Sequence, residues 1–124
     1  MDIKYVVIEN KGIVKAFPVV ESEYAEGIDA AVAATLIKKH GVSKNKLQVA
    51  SNVVGIARLH PDDTFDIETG KSIARDRLLV AYNRSLEKAL STYEDGLKRM
   101  LAITTSSATA SRKKIVNAQA RLSL

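Results

Sequence analysis

The residues best suited to hold an anion lie near the end of the chain. Arg112, Lys113, Asn117 and Arg121 offer guanidinium, ammonium and amide donors. Residues 113, 117 and 121 step by four, which sets them on one face of a helix. Such a row can contact phosphate and ribose oxygens, and the forked donors of arginine suit phosphate better than a point charge does. Tyr82, with Asn83 beside it, is the most informative aromatic position. Its ring either stacks on a nucleobase at a subunit interface or serves as a core knob in a helical seam. Ordinary surface exposure is the plain alternative for the four C-terminal donors. Arg58 and Arg99 are further candidates for a second anion site.

The charge balance sharpens this. The chain has 124 residues with 19 basic and 14 acidic side chains, a net charge of +5. Its last acid is Asp95, and residues 98–124 carry Lys98, Arg99, Arg112, Lys113, Lys114 and Arg121 with no Asp or Glu, a segment of +6. Residues 1–97 then hold 13 bases against 14 acids, or −1. A basic segment of this kind suits an anionic partner, either nucleic acid or a phosphorylated small molecule. A solvated helix face is the competing explanation.

No catalytic constellation is readable. Cysteine is absent, which excludes a thiol nucleophile, a thiolate metal site and a disulfide framework, and favours an intracellular, cytoplasmic setting. His40 fits a helix C-terminus, where positive charge is favoured. His60, Asp62, Asp63 and Asp66 are hard donors, but turn and cap chemistry accounts for the same residues. Gly70-Lys71-Ser72 imitates the end of a phosphate-binding loop, yet Phe65 stands where that motif needs its first glycine. Neither a metal nor a cofactor is expected. Arg75, Arg77 and Arg84 are expected in structural ion pairs, with Arg84 and Glu87 at helical spacing.

The elements that must position these residues follow from patterning. Residues 3–9 alternate and are β-branched, Asn10-Lys11-Gly12 supplies a turn, and residues 13–20 resume an extended pattern, which predicts a β-hairpin. Pro18 places the second strand at an edge or ends it nearby. A helix is expected from Glu23, capped by Ser22, because Tyr24, Ile28, Val32 and Leu36 recur every four residues. It should end at a left-handed Gly41. Residues 46–50 and 53–59 read as two more strands, with a bulge at Gly55. Asp66 is the expected cap of a long amphipathic helix from Ile67 to about Leu101. Leu79, Leu86, Tyr93 and Met100 are seven apart, as are Tyr82, Ala89 and Gly96. The helix is about 50 Å long where a globule of this size is about 30 Å across. It must project, bend or meet a partner chain, and the small Ala89 and Gly96 suit close approach by another helix. The Ser/Thr run 104–111 should break the pattern before a last basic helix over 109–122. No signal sequence and no stretch long enough to cross a bilayer is seen. The expected fold class is α+β, one domain over 1–124, with a sheet-rich part (1–66) and a helical part (67–124).

The segment 54–77 carries a recognisable series: Gly55-Ile56-Ala57, then Pro61-Asp62-Asp63-Thr64-Phe65-Asp66, then Gly70, then Ala74-Arg75-Asp76-Arg77 opening a helix. With the strand-rich first half and basic C-terminal helix, it resembles the Thoeris anti-defence protein 1 family of phages. That resemblance implies capture of cyclic ADP-ribose isomers without cleavage, at pockets on a dimer interface built from C-terminal helices. Some members form hexamers and bind cyclic di- or trinucleotides at separate sites. Family pockets use an aromatic residue, an asparagine and helix arginines. These would match Tyr82 and either Arg112 or Arg121, with Asn117 a further polar contact. Lys113 and Asn117 stand where a second arginine is expected. The alternative is a dimeric nucleic-acid-binding protein whose basic helices track phosphates, and a third reading is an inhibitor that docks on a host protein.

Overall fold

The computed structural model describes residues 1–60 and 64–123. The fold is α+β: a three-stranded antiparallel sheet, one short helix and one long C-terminal helix. Strands β1 (Asp2–Ile8) and β2 (Ile13–Val19) form the expected hairpin, with Tyr5 opposite Ala16 and Ile8 opposite Ile13. Strand β3 (Gly55–Arg58) pairs with β2 only over Ile13–Ala16. The strand bearing Pro18 is therefore central in the sheet. Pro18 itself lies past the reach of β3, where a missing N–H forfeits no ladder bond on that side.

Helix α1 (Ala30–His40) starts seven residues later than the apolar spacing predicts. Gly27 has φ +93° and cannot continue a helix, and Asp29, not Ser22, is the cap, accepting from the Val32 amide at 3.0 Å. Tyr24 and Ile28 nonetheless pack beside Val32 around Leu36, so the four-residue spacing marks one packed face rather than one helix. Gly41 ends α1 in the left-handed conformation, as expected. Residues 46–50 do not form a strand. Lys44–Leu47 is a 3-10 turn, and the backbone groups that a strand would pair go elsewhere. Leu47 accepts from the Ala25 amide at 2.9 Å, and the Ala50 amide donates to Ser85 Oγ at 2.7 Å. The second strand is shorter than expected, and Gly55 is no bulge. A Cβ there would overlap the Ala74 carbonyl and the Leu78 amide, so glycine lets the helix lie directly on β3.

Helix α2 runs unbroken from Ile67 to Leu122, 56 residues, or about 84 Å at 1.5 Å per residue. Asp66 caps it, accepting from the Glu68 and Thr69 amides and from the Thr69 hydroxyl at 2.8 Å. The expected break at residues 104–111 is absent. Ser and Thr cost a helix only tenths of a kcal/mol each, about 0.5, and their hydroxyls can bond back to the preceding turn. The Thr104 hydroxyl does so, donating to the Met100 carbonyl at 3.1 Å.

Two apolar clusters hold the first half of α2. Val14, Ala16, Ala57, Ala74 and Leu78 join the sheet to it, and Ala33, Leu36, Val42 and Leu47 lie beneath α1 against Tyr93 and Met100. Each fully buried leucine contributes about 1.5–3 kcal/mol. Ala89 and Gly96, expected to admit a helix of another chain, are buried within this one. A Cβ on Gly96 would sit 2.8 Å from Leu36 Cδ1. From Leu101 to Ser123 every residue is exposed except the half-buried Ala108 and Ala118.

Candidate functional site

The continuity of α2 decides how the candidate residues relate. Tyr82 and Asn83 lie on the half that packs against the sheet, and Arg112, Lys113, Asn117 and Arg121 on the half that projects beyond it. From Tyr82 to Arg112 the helix rises about 45 Å. One chain therefore does not bring the aromatic and the basic groups together.

Within the basic group the helix sorts the side chains. At about 100° per residue, Lys113, Asn117 and Arg121 share one stripe, and Arg99 lies on the same side two turns below Ser106. All four are exposed. The apolar positions Leu101, Ile115 and Leu122 fall on the opposite side, with 66%, 57% and 86% of their surfaces in solvent. Arg112 sits apart from the stripe, about 50° from the apolar line.

Tyr82 is half-buried against the sheet cluster, as a core knob would be, and its remaining surface lines a cleft of about 780 Å³. Phe17, Tyr24, Asp2, Glu21, Glu23 and Glu26 also line the cleft, and among the described residues no Lys or Arg does. Its character is aromatic and acidic, the wrong sign for a phosphate by itself. The acidic run Glu21, Glu23, Glu26 was legible in the sequence as three carboxylates in six residues. What was missing is that the loop folds back toward Tyr82. At the rim, Lys44 pairs with Glu23 and stands 6.0 Å from the Tyr24 ring centroid. That pairing raises the Lys44 pKa, through the hydrogen bond and the charge of Glu23.

The Asn83 amide donates to the Leu79 carbonyl at 2.8 Å, which ties it to its own helix on a shallow groove with Leu86 and Leu90. Arg58 is exposed at the end of β3 and lines a second, mainly apolar cavity of about 350 Å³ with Phe65, Asp66 and Thr69. Arg99 lies about 45 Å up the helix from Thr69, so the two second-site candidates belong to separate places. Arg77, expected in an ion pair, instead donates from Nη1 to the Ile56 carbonyl at 2.6 Å and pins β3 to α2. Nothing in the local pattern around Arg77 marks that contact, which joins residues 21 apart.

Gly70-Lys71-Ser72 lies in the opening turns of α2, and Lys71 stands 5.5 Å from the Tyr5 ring centroid. Of the metal candidates, Asp62 and Asp63, with Pro61 between them and His60, lie outside the described residues. Among the described residues no three His, Asp or Glu side chains gather to hold a metal ion, and no helix is long and apolar enough to cross a membrane. The hydrogen bonds from Thr69 and Glu68 hold the Asp66 carboxyl below the ordinary range, Thr69 most of all. Lys98 lowers the Glu94 pKa in the same way across a 2.9 Å pair one turn apart. Compared with protein-family models, curated proteins and solved structures, the chain matches none of them.

Proposed function

We propose that this protein is a nucleotide sponge: it captures a cyclic ADP-ribose isomer on its projecting basic helix and holds it without cleaving it. The observation that carries the reading is the placement of the charge. The segment with all the excess positive charge begins just past Gly96, the last fully buried position of α2 among the described residues. Lys113, Asn117 and Arg121 form the stripe that meets the pyrophosphate, and Arg112 lies off it. Residues 98–124 contain no Asp, Glu, His or Cys, so the segment itself sets no carboxylate, imidazole or thiol side chain beside the stripe.

The protein acts as a homodimer or hexamer in this reading, because Tyr82 can offer its ring to a ligand on the basic stripe only across two copies. A nanomolar complex needs about −12 kcal/mol, and enclosure between subunits is the means of reaching it. Arg58 and Arg99 are candidates for two separate contacts to cyclic di- or trinucleotides. The biological role is that of a phage anti-defence protein in the cytoplasm of a bacterial host, where removal of the signal leaves its effector untriggered. Heating the complex and chromatographing the released nucleotide tests the reading. Intact ligand supports capture, and a degraded one overturns it.

A specific observation favours one other reading. Arg99, Lys113, Asn117 and Arg121 form an exposed row on the side away from the apolar line, as in a helix that tracks a phosphate backbone. Nucleic-acid binding would weaken steeply with salt as counterions are released. An enclosed small-ligand site responds far less.

A further inference from the structure

The cleft beside Tyr82 suits a charge opposite to the one the projecting helix suits. Phe17, Tyr24 and Tyr82, three of the chain's six aromatic residues, line it, and each is half-buried. An aromatic ring is negative on its face and attracts a cation there. Asp2, Glu21, Glu23 and Glu26 line the same cleft and are exposed, in a chain whose net charge is +5. With Lys44 and the amino group of Met1 set against them, the four carboxylates are still in excess. The volume, about 780 Å³, is that of a small-molecule site.

The chain holds one of its own cations in this way. Lys44 pairs with Glu23 and stands 6.0 Å from the Tyr24 ring centroid, so one carboxylate and one ring of the cleft together hold an aliphatic ammonium. Among the described residues Asp2, Glu21 and Glu26 have no ion-pair partner. Hydrogen bonds fix the walls. The Gln48 amide donates to the Glu23 carbonyl at 2.8 Å and the Ala25 amide to the Leu47 carbonyl at 2.9 Å, which fastens the acidic loop to residues 47 and 48. The bond from the Ala50 amide to Ser85 Oγ ties that segment in turn to α2, one turn from Tyr82. A wall held in place beforehand lowers the ordering cost of binding.

The spread of the acids decides the kind of cation. A metal ion needs its oxygen ligands gathered around one point. Among the described residues no three His, Asp or Glu side chains gather so. A cation that uses this cleft must therefore be extended, with several charges spaced along an apolar stem. Methylene groups lie on apolar surface while the ammonium stays at the polar edge, as lysine stems do. We propose that the cleft binds an aliphatic polyamine, its ammonium groups on Asp2, Glu21 and Glu26 and its methylene chain over the rings of Phe17, Tyr24 and Tyr82. The site does not rest on the nucleotide reading. Tyr82 is the one residue that the two share, and a polyamine and a nucleotide exclude each other at its ring.

The test is calorimetric titration of the full chain with spermidine, without nucleotide, at about 0.15 M salt. The wild type is expected to saturate near one spermidine per chain, with a Kd below about 0.1 mM. Glu21→Gln with Glu26→Gln, both on exposed side chains, is expected to bind at least about tenfold more weakly. Tyr24→Leu, which keeps apolar bulk but removes a ring, is expected to bind about threefold more weakly or worse. Circular dichroism confirms that each variant is folded. Magnesium ion, titrated in the same way, is expected to bind more weakly than spermidine. A wild type that takes up no spermidine, a carboxylate or ring variant of unchanged affinity, or Mg²⁺ bound as tightly as spermidine would each overturn the proposal. These titrations contain no nucleotide and leave Lys113, Asn117 and Arg121 untouched, so their failure and that of the sponge reading are separate results.

Discussion

Tyr82 and Arg112 lie on one unbroken helix, about 45 Å apart along its axis. The first is packed against the sheet and the second stands in solvent. Any single site that uses both must be assembled from two chains. Within the projecting half, Arg99, Lys113 and Arg121 share a side with Asn117, and Arg112 lies off it.

Substitutions along the projecting helix should therefore differ by face. Arg121→Ala and Lys113→Ala are each expected to weaken an anionic nucleotide by about tenfold or more, which is the loss of a charge-assisted hydrogen bond of about 1.5–3 kcal/mol. Arg112→Ala, off the stripe, is expected to weaken it less. Isothermal titration of the three variants checks the order, and an Arg112 effect larger than that of Arg121 would contradict the stripe.

Gly55 and Gly41 give a contrast in stability. Gly55→Ala inserts a methyl group into the Ala74 and Leu78 backbone, and should cost about 2–3 kcal/mol or more in urea denaturation. At Gly41 nothing lies within 4 Å of an added Cβ. There Gly41→Ala should cost only the left-handed backbone strain, about 1 kcal/mol. Equal losses would mean that α2 does not lie on β3 as closely as described.

Most of the sheet was legible because its cues are local: alternation in residues 3–9, a turn at Gly12 and a cap at Asp66. The failures share a cause as well. Tyr24 and Ile28 have helical spacing yet both precede the cap at Asp29, with Gly27 between them, and residues 46–50 look extended while their backbone bonds go to Ala25 and Ser85, which are distant in sequence. The Ser/Thr run reads as a cap, but the preceding helix absorbs it. For the site, the basic stripe was legible from spacing alone. The acidic cleft was not, because it depends on how the 20–29 loop folds back toward α2.

The continuity of α2 through that run is itself testable. Ser107→Pro removes an N–H and clashes with the preceding turn, a cost of about 3 kcal/mol in a helix interior. Helicity by circular dichroism at 222 nm is expected to fall, while the urea midpoint of the sheet-bearing part stays close to wild type. An unchanged ellipticity would mean that the helix is already broken there.

The cap at Asp66 predicts an acid dependence. Its folded pKa lies below the unfolded value, chiefly through the Thr69 hydroxyl and backbone. The stabilisation is thus present above the unfolded carboxylate pKa and lost as pH falls through the folded one. The stability gap between wild type and Asp66→Ala should be widest near neutral pH and shrink in acid. Urea titrations of both proteins across that range measure it, and a gap that widens in acid would contradict the assignment.

The central claim is capture of an anionic nucleotide by the projecting basic helix. Its most direct test is calorimetric titration of the full chain and of the Lys113→Glu, Arg121→Glu double variant with glycocyclic ADP-ribose. The account predicts saturable binding at about one ligand per chain with a submicromolar Kd in the wild type, and a loss of at least about a hundredfold in the variant. Absence of heat from a wild-type protein shown to be folded, or equal affinity in the variant, would contradict it.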